Sequence, residues 1–151
     1  MFLEEKNLIS LLKNFKCFEN QPRIAVGVSG GPDSMALAYL LSKWIKKNKG
    51  KLYCIIFDHN IRSNSKHEAY QVKDMLKNLK IEASIIKPNK NKLIKKNMEN
   101  ARLNRFTGLL NFCKKNNILH LFLGHHFDDN LETYLIRKLN GSNLEGLDSM
   151  N

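Results

Sequence analysis

The chain has 151 residues, 42% hydrophobic and 26% charged, which is enough for one domain with a real core and too little for two of ordinary size. Its 25 Lys and Arg against 14 Asp and Glu give a formal net charge of +11. That excess favours polyanionic partners, nucleic acid before membrane, although a lysine-rich and asparagine-rich composition can also be a genome-wide bias. The first residues lack the basic, apolar and small-residue succession of a secretion signal, and no apolar run approaches the ~18 residues that span a bilayer. The expectation is a cytoplasmic protein with no membrane partner.

In chain order, Phe2 to Phe18 carries Leu8, Ile9, Leu11, Leu12 and Phe15 at helical spacing between lysines, an amphipathic helix expected to pack on the domain. Arg23 to Val28 reads as a strand, Ser29 to Ser34 (SGGPDS) as a tight glycine loop, and the apolar-periodic run from Met35 as a helix. Gly50 stops that helix. Leu52 to Phe57 is a second strand, buried on both faces because it does not alternate. Asp58-His-Asn-Ile-Arg62 leaves its carboxyl end. Ser65-Lys-His-Glu68 has capping-box spacing and opens a helix that should turn Ala69, Val72, Met75, Leu76 and Leu79 to the core.

Ile81 to Ile86 is a weaker third strand, and the Lys- and Asn-rich stretch Lys87 to Asn97 reads either as a mobile or phosphate-contacting segment or as a solvated charge run. Met98 to Lys115 is helical, with Ala101, Phe106, Leu109, Leu110 and Cys113 available for the core, and Asn116-Asn117 ends it. Ile118 to Leu123 is a fourth buried strand. Gly124 to Asn130 then leads into a last helix, Leu131 to Leu139. Strands alternating with helices, without hairpin turns, predict an α/β fold: a doubly wound parallel sheet of at least four strands with helices on both faces. Right-handed crossovers bring the loops after strands one, two and four to one carboxyl edge, where ligands bind in such folds. Cys17, Cys54 and Cys113 form no CxxC pair, so buried free thiols are expected.

The SGGPDS loop carries the first chemical signal. Gly30 and Gly31 can take positive φ and let a ligand approach the backbone, while the helix start presents amides and a positive dipole end that favour a phosphate. Ser29 and Ser34 add hydroxyls. Asp33 would repel a phosphate unless a cation stood between them, so it suggests Mg²⁺ as the bridge. The plainer alternative is an ordinary strand-to-helix turn in which Asp33 or Ser34 caps the helix. No Gly-Lys-Ser/Thr follows, so this is not a Walker loop. Further on, Asp128, Asp129 and Glu132 share one face if a helix opens near Asp128, and an acidic first turn alone would also account for them.

The whole SGGPDS string resembles the pyrophosphate loop of the ATP pyrophosphatases, which cleave ATP between its α and β phosphates. His125-His126-Phe-Asp128-Asp129-Asn-Leu-Glu132-Thr133, then Arg137 and Gly141 to Leu147, closely resembles the matching stretch of the tRNA(Ile)-lysidine synthetases. DHNIR after strand two and Glu99-Asn-Ala-Arg102-Leu-Asn-Arg105-Phe106 are similar to further segments of that family, in the family's order. The resemblance implies an enzyme that uses ATP to adenylate the carbonyl oxygen of the wobble cytidine in an isoleucine tRNA. The side-chain amine of free lysine then attacks the adjacent carbon and AMP leaves.

By matching position, Ser29, Gly30, Gly31, Pro32, Asp33 and Ser34 would hold pyrophosphate, with Asp33 on Mg²⁺. Asp58 and His59 would lie against the adenosine. Arg102 and Arg105, one helical turn apart, would steady the phosphates, unless they are simply a surface pair. His125, Asp129 and Glu132 would line the pocket for base and lysine. The resemblance runs into Met150-Asn151 and stops, whereas the family's catalytic domain continues with another strand and with tRNA-binding domains. Residues 1–151 are therefore read as one catalytic domain truncated at its C-terminal end. Oligomerisation through missing or neighbouring regions stays open. The competing readings are another tRNA-modifying enzyme of this loop type, such as a thiolase, and a nucleotide-binding module without turnover.

Overall fold

A computed structural model describes residues 5–15, 17–58, 64–88, 98–124 and 135–136. Helix α1 (Glu5–Phe15) precedes β1 (Arg23–Val28), α2 (Pro32–Lys47), β2 (Lys51–Phe57), α3 (Ser65–Asn78), β3 (Ala83–Ile86), α4 (Met98–Lys115), β4 (His120–Leu123) and β5 (Leu135–Ile136). The sheet order is β3-β2-β1-β4-β5. Strands β1 to β4 are parallel, with Val26 beside Cys54 on one flank and Phe122 on the other.

Alternation along the strands separates two apolar layers. Ile24, Val26, Val28, Cys54, Ile56 and Phe122 face Leu8, Leu12, Leu41, Trp44, Val72 and Leu76 of α1, α2 and α3. Ala25, Ile55, Leu121 and Leu123 face Leu109 and Cys113 of α4. Helices thus cover both faces, as a doubly wound sheet requires. The chain runs outward from β1 to β2 to β3 and then returns to β4 on the other flank of β1. Strand order therefore reverses between β1 and β4, and the crevice at their carboxyl ends is the place where this fold class binds ligands.

Several sequence expectations are corrected. The last helix, expected over Leu131 to Leu139, is contradicted at the two described positions. Leu135 and Ile136 form β5, antiparallel to β4, pairing with Leu121 and His120. The open flank of β4 offers unpaired N–H and C=O groups, and such pairing overrides local helix propensity. The rest of that segment lies outside the described residues, as do residues 89–97 of the Lys-rich loop. Leu11 and Phe15 of α1 are exposed, because the helix meets the layer through the single stripe of Leu8 and Leu12. Met75 and Leu79 are likewise exposed, since α3 buries only the Ala69, Val72 and Leu76 stripe.

The capping box also fails. Asn64 holds the N-cap position of α3 with no side-chain cap, and Ser65 is already the first helical residue. Glu68 therefore stands one place too late to reach back to the cap. Helices α2, α3 and α4 end alike: Lys49, Lys80 and Asn117 are left-handed at φ 53°, 59° and 53°. In each case the next N–H reaches back six-to-one, from Gly50 to Ile45, Ile81 to Leu76 and Ile118 to Cys113.

Candidate functional site

The glycine loop sits at the β1/β4 switch. Helix α2 begins at Pro32, earlier than the expected Met35, with Gly31 as N-cap and no side-chain cap, so neither Asp33 nor Ser34 serves as the N-cap. Proline suits the first helical position because its φ is already helical and its missing N–H would have no partner there. The first intrahelical bond runs from the Met35 N–H to the Gly31 carbonyl at 3.1 Å. The amides before it face outward from a positive dipole end.

Ser34 holds this loop closed from within. It is buried, and its hydroxyl donates to the Gly31 carbonyl at 3.0 Å while accepting from the Ser29 N–H at 3.2 Å. Its single proton being used, the 3.2 Å contact between the two hydroxyls must be donated by Ser29. Of the two serines, Ser29 is the exposed residue and Ser34 the buried one. Gly30 takes φ 90°, and a Cβ there would stand 2.5 Å from the Val72 Cγ2. Only glycine satisfies both conditions. A Cβ on Gly124, just after β4, would lie 3.0 Å from the Ser34 N and Cα, so the chain leaving β4 passes directly over the start of α2.

A cavity of about 160 Å³ opens beside the loop, walled by Ser29, Ser34, Asp58, Ser65, Glu68 and Arg105 over a floor that includes Val28, Val72, Leu109 and Leu123. That is below the ~300–1,000 Å³ of a typical ligand pocket, so the cavity has room for only part of a nucleotide-sized ligand. Asp58 is 2% exposed, and its N–H donates to the Ile86 carbonyl at 2.9 Å, fixing the end of β2 against β3. Arg105 comes from α4 on the other side of the sheet. The residue types fit ATP and Mg²⁺: amides and a hydroxyl at a helix end for phosphate, and the exposed Asp33 carboxylate for a hard cation that keeps several of its waters.

Ser29, Ser34, Asp58 and Arg105 thus line one cavity, while Gly30, Gly31, Pro32 and Asp33 are not among its lining residues. His59, His125, Asp129 and Glu132 lie outside the described residues, and so does the side chain of Arg102. Ser65 and Glu68 were missed as wall residues, because their spacing carried the more familiar signature of a helix cap. Cys54 and Cys113 take no part. Burial pushes their thiols up to about 12 and about 11, which keeps them protonated and unreactive. Among the described residues no cluster of His, Cys, Asp or Glu could hold a metal, and no helix is long and apolar enough to cross a membrane.

Comparison with known proteins agrees with this geometry. The PP-loop domain family matches residues 3–151. The tRNA(Ile)-lysidine synthase of Orientia tsutsugamushi (strain Boryong) is 37% identical over 147 residues, covering 97% of this chain and 33% of that protein. The tRNA(Ile)-lysidine synthase of Wolbachia pipientis wMel is 38% identical over 150 residues, covering 98% of this chain and 35% of that protein. The chain spans about a third of the length of these curated relatives. Among solved structures, the U34-tRNA thiolase NcsA from Methanococcus maripaludis with its 4Fe-4S cluster superposes with a TM-score of 0.64 at 24% identity, over 74% of this chain and 41% of that one. At that identity the likeness speaks to the fold.

Proposed function

Because this chain belongs to the PP-loop domain family, we propose that it binds ATP with Mg²⁺ at the carboxyl edge of its sheet and forms the ATP-using part of a tRNA(Ile)-lysidine synthase. The reaction is a ligation. The base's carbonyl oxygen bonds to the α-phosphorus of ATP and pyrophosphate leaves; the lysine ε-amine then bonds to the adjacent carbon, and AMP leaves with that oxygen. A proton is lost from the amine.

In this reading the loop amides and Ser29 bind phosphate, and Ser34 keeps them in register by bracing Ser29 to Gly31. Mg²⁺, held by Asp33, would neutralise phosphate charge. Arg105, in the cavity wall beside Ser29, stabilises the charge that builds on the departing pyrophosphate, with Arg102 from the preceding turn as its partner. Asp58 and His59 orient the nucleoside. His125, Asp129 and Glu132 are assigned to the lysine and base, since an ammonium needs carboxylates to bind and a base to lose its proton.

For tRNA, the chain offers a groove of about 820 Å³ between α3 and the first residues of β2 and β3, where Lys51, Lys73, Lys77 and Lys80 outnumber Asp74 and Glu82 and Tyr53 and Tyr70 add rings. Such a mixture of cations and rings suits a phosphate backbone, with affinity that falls steeply with salt. The site of action is the cytoplasm, where tRNA and ATP meet.

The observation that carries the proposal is the braced glycine loop at the β1/β4 switch, open to a cavity that also holds Arg105. The test is to incubate the protein with ATP, lysine and isoleucine tRNA and to assay the products. AMP, pyrophosphate and lysine-bearing tRNA support the reading. ADP and phosphate would rule out this loop chemistry, and AMP release with a sulfur-bearing tRNA would favour the thiolase alternative. Asp33→Ala should abolish Mg²⁺-dependent nucleotide binding while leaving the melting temperature nearly unchanged, as measured by calorimetry.

A further inference from the structure

One side of the cavity wall has polar groups with no assignment in the chemistry above. The Ser65 hydroxyl is shielded from water and has no hydrogen-bond partner among the described residues, although Ser65 opens α3 and lines the cavity. Leaving such a group unmet in the folded protein is unfavourable. Glu68, one turn further along α3, lines the same wall, and Asp58 closes it from the end of β2.

The wall is therefore chemically two-sided. Arg105 is a donor; Asp58 and Glu68, when ionised, only accept; the Ser29 and Ser65 hydroxyls can do either. An occupant that satisfies both sides must carry an anionic part and a part rich in hydroxyl protons. ATP has both, in its phosphates and in the 2′,3′-diol of its ribose. Phosphate placed on the carboxylate side would be repelled, so the diol must take that side.

We propose that Ser65 and Glu68 bind the ribose hydroxyls of the nucleotide, Glu68 accepting from one hydroxyl and Ser65 closing on the other, and so set which end of ATP meets the glycine loop. An acidic residue beyond the second strand meets ribose in dinucleotide-binding folds by the same chemistry. The inference rests on the ATP reading above and assigns that site's sugar contacts.

The experiment is calorimetric titration of the 151-residue protein with ATP, 2′-deoxyATP and 3′-deoxyATP in Mg²⁺, repeated for Ser65→Ala, Ser65→Thr and Glu68→Gln. One hydrogen bond to a neutral or charged partner corresponds to about 2-fold to 150-fold in affinity. The parent should prefer ATP over at least one deoxy analogue by that factor. Ser65→Ala and Glu68→Gln should each lose that preference while binding the same analogue as the parent does, and Ser65→Thr should keep it. A parent that binds all three nucleotides alike overturns the inference and leaves ATP binding standing. Variants that weaken ATP and analogues equally overturn it too, since that is the mark of a packing change. A parent that binds no nucleotide overturns the ATP reading itself and this inference with it.

Discussion

The two edges of the sheet handle polar side chains in opposite ways. At the amino edge, Glu19 accepts from the Arg23 N–H at 2.9 Å and from the His120 Nε2 at 3.0 Å. The Phe18 ring closes over the pair, 4.6 Å from the His120 ring and 4.9 Å from Trp44. His120 is 2% exposed, and among the described residues its Nδ1 has no hydrogen-bond partner. At the carboxyl edge, by contrast, the Ser65 hydroxyl is unmet among the described residues and Gly30 holds a backbone conformation that side chains avoid. Polar groups that answer one another under aromatic cover hold a fold together. Polar groups arranged around a cavity await something else.

That contrast predicts which changes affect stability and which affect ligand binding. The largest stability effect belongs to the amino edge. Trp44→Ala should cost about 3–5 kcal/mol in urea unfolding, with ATP affinity unchanged in the protein that remains folded. A parallel loss of affinity would mean the two edges are not separable. Arg105→Ala should do the reverse, leaving unfolding free energy nearly intact and lowering turnover of an active enzyme by about 10²–10³-fold, the effect of losing one donor to developing charge.

Gly30→Ala should affect both properties. The positive φ and the collision with Val72 together cost about 1–3 kcal/mol, and nucleotide binding should fall with the distorted loop. A variant that binds ATP normally would remove the loop from the ligand's path. The smallest effect is on acid stability. Burial raises the Glu19 carboxyl, but the N–H of Arg23, its own N–H and His120 outweigh that and hold it below 4.5. Because the value is lower when folded, the stabilisation is complete above the unfolded value and is lost as pH falls through the folded one. Between about pH 5 and pH 3 the parent should lose more stability than Glu19→Gln, while their ATP affinities at neutral pH agree.

The sequence made the strands legible because each is a short apolar run fixed by burial on two faces; β1 and α4 span the residues expected. Helix ends were read less well. Gly50 looked like the stop of α2, yet the left-handed residue is Lys49 and the glycine follows it. Asn116-Asn117 was a truer signal, since asparagine tolerates that conformation. Segment 131–139 misled because Leu135 and Ile136 suit helix and strand alike, and the choice was made by the open flank of β4. At the site, residue types placed SGGPDS between a strand and a helix, and the resemblance to the pyrophosphate loop suggested its ligand. The unmet Ser65 hydroxyl was not legible, because whether a hydroxyl has a partner depends on three-dimensional neighbours that no spacing records.

The floor of the cavity is drawn from both apolar layers, Val28 and Val72 from one and Leu109 and Leu123 from the other. A nucleotide seated there touches two layers that the sheet otherwise keeps apart, and so acts as a rivet between them. Occupancy at 100 times the dissociation constant adds about 2.7 kcal/mol to stability. Here that increment belongs to neither layer alone, and local openings in α3 and α4 become coupled through the ligand. Amide hydrogens in these two helices, remote from each other in sequence and on opposite faces of the sheet, should then slow their exchange with solvent in concert.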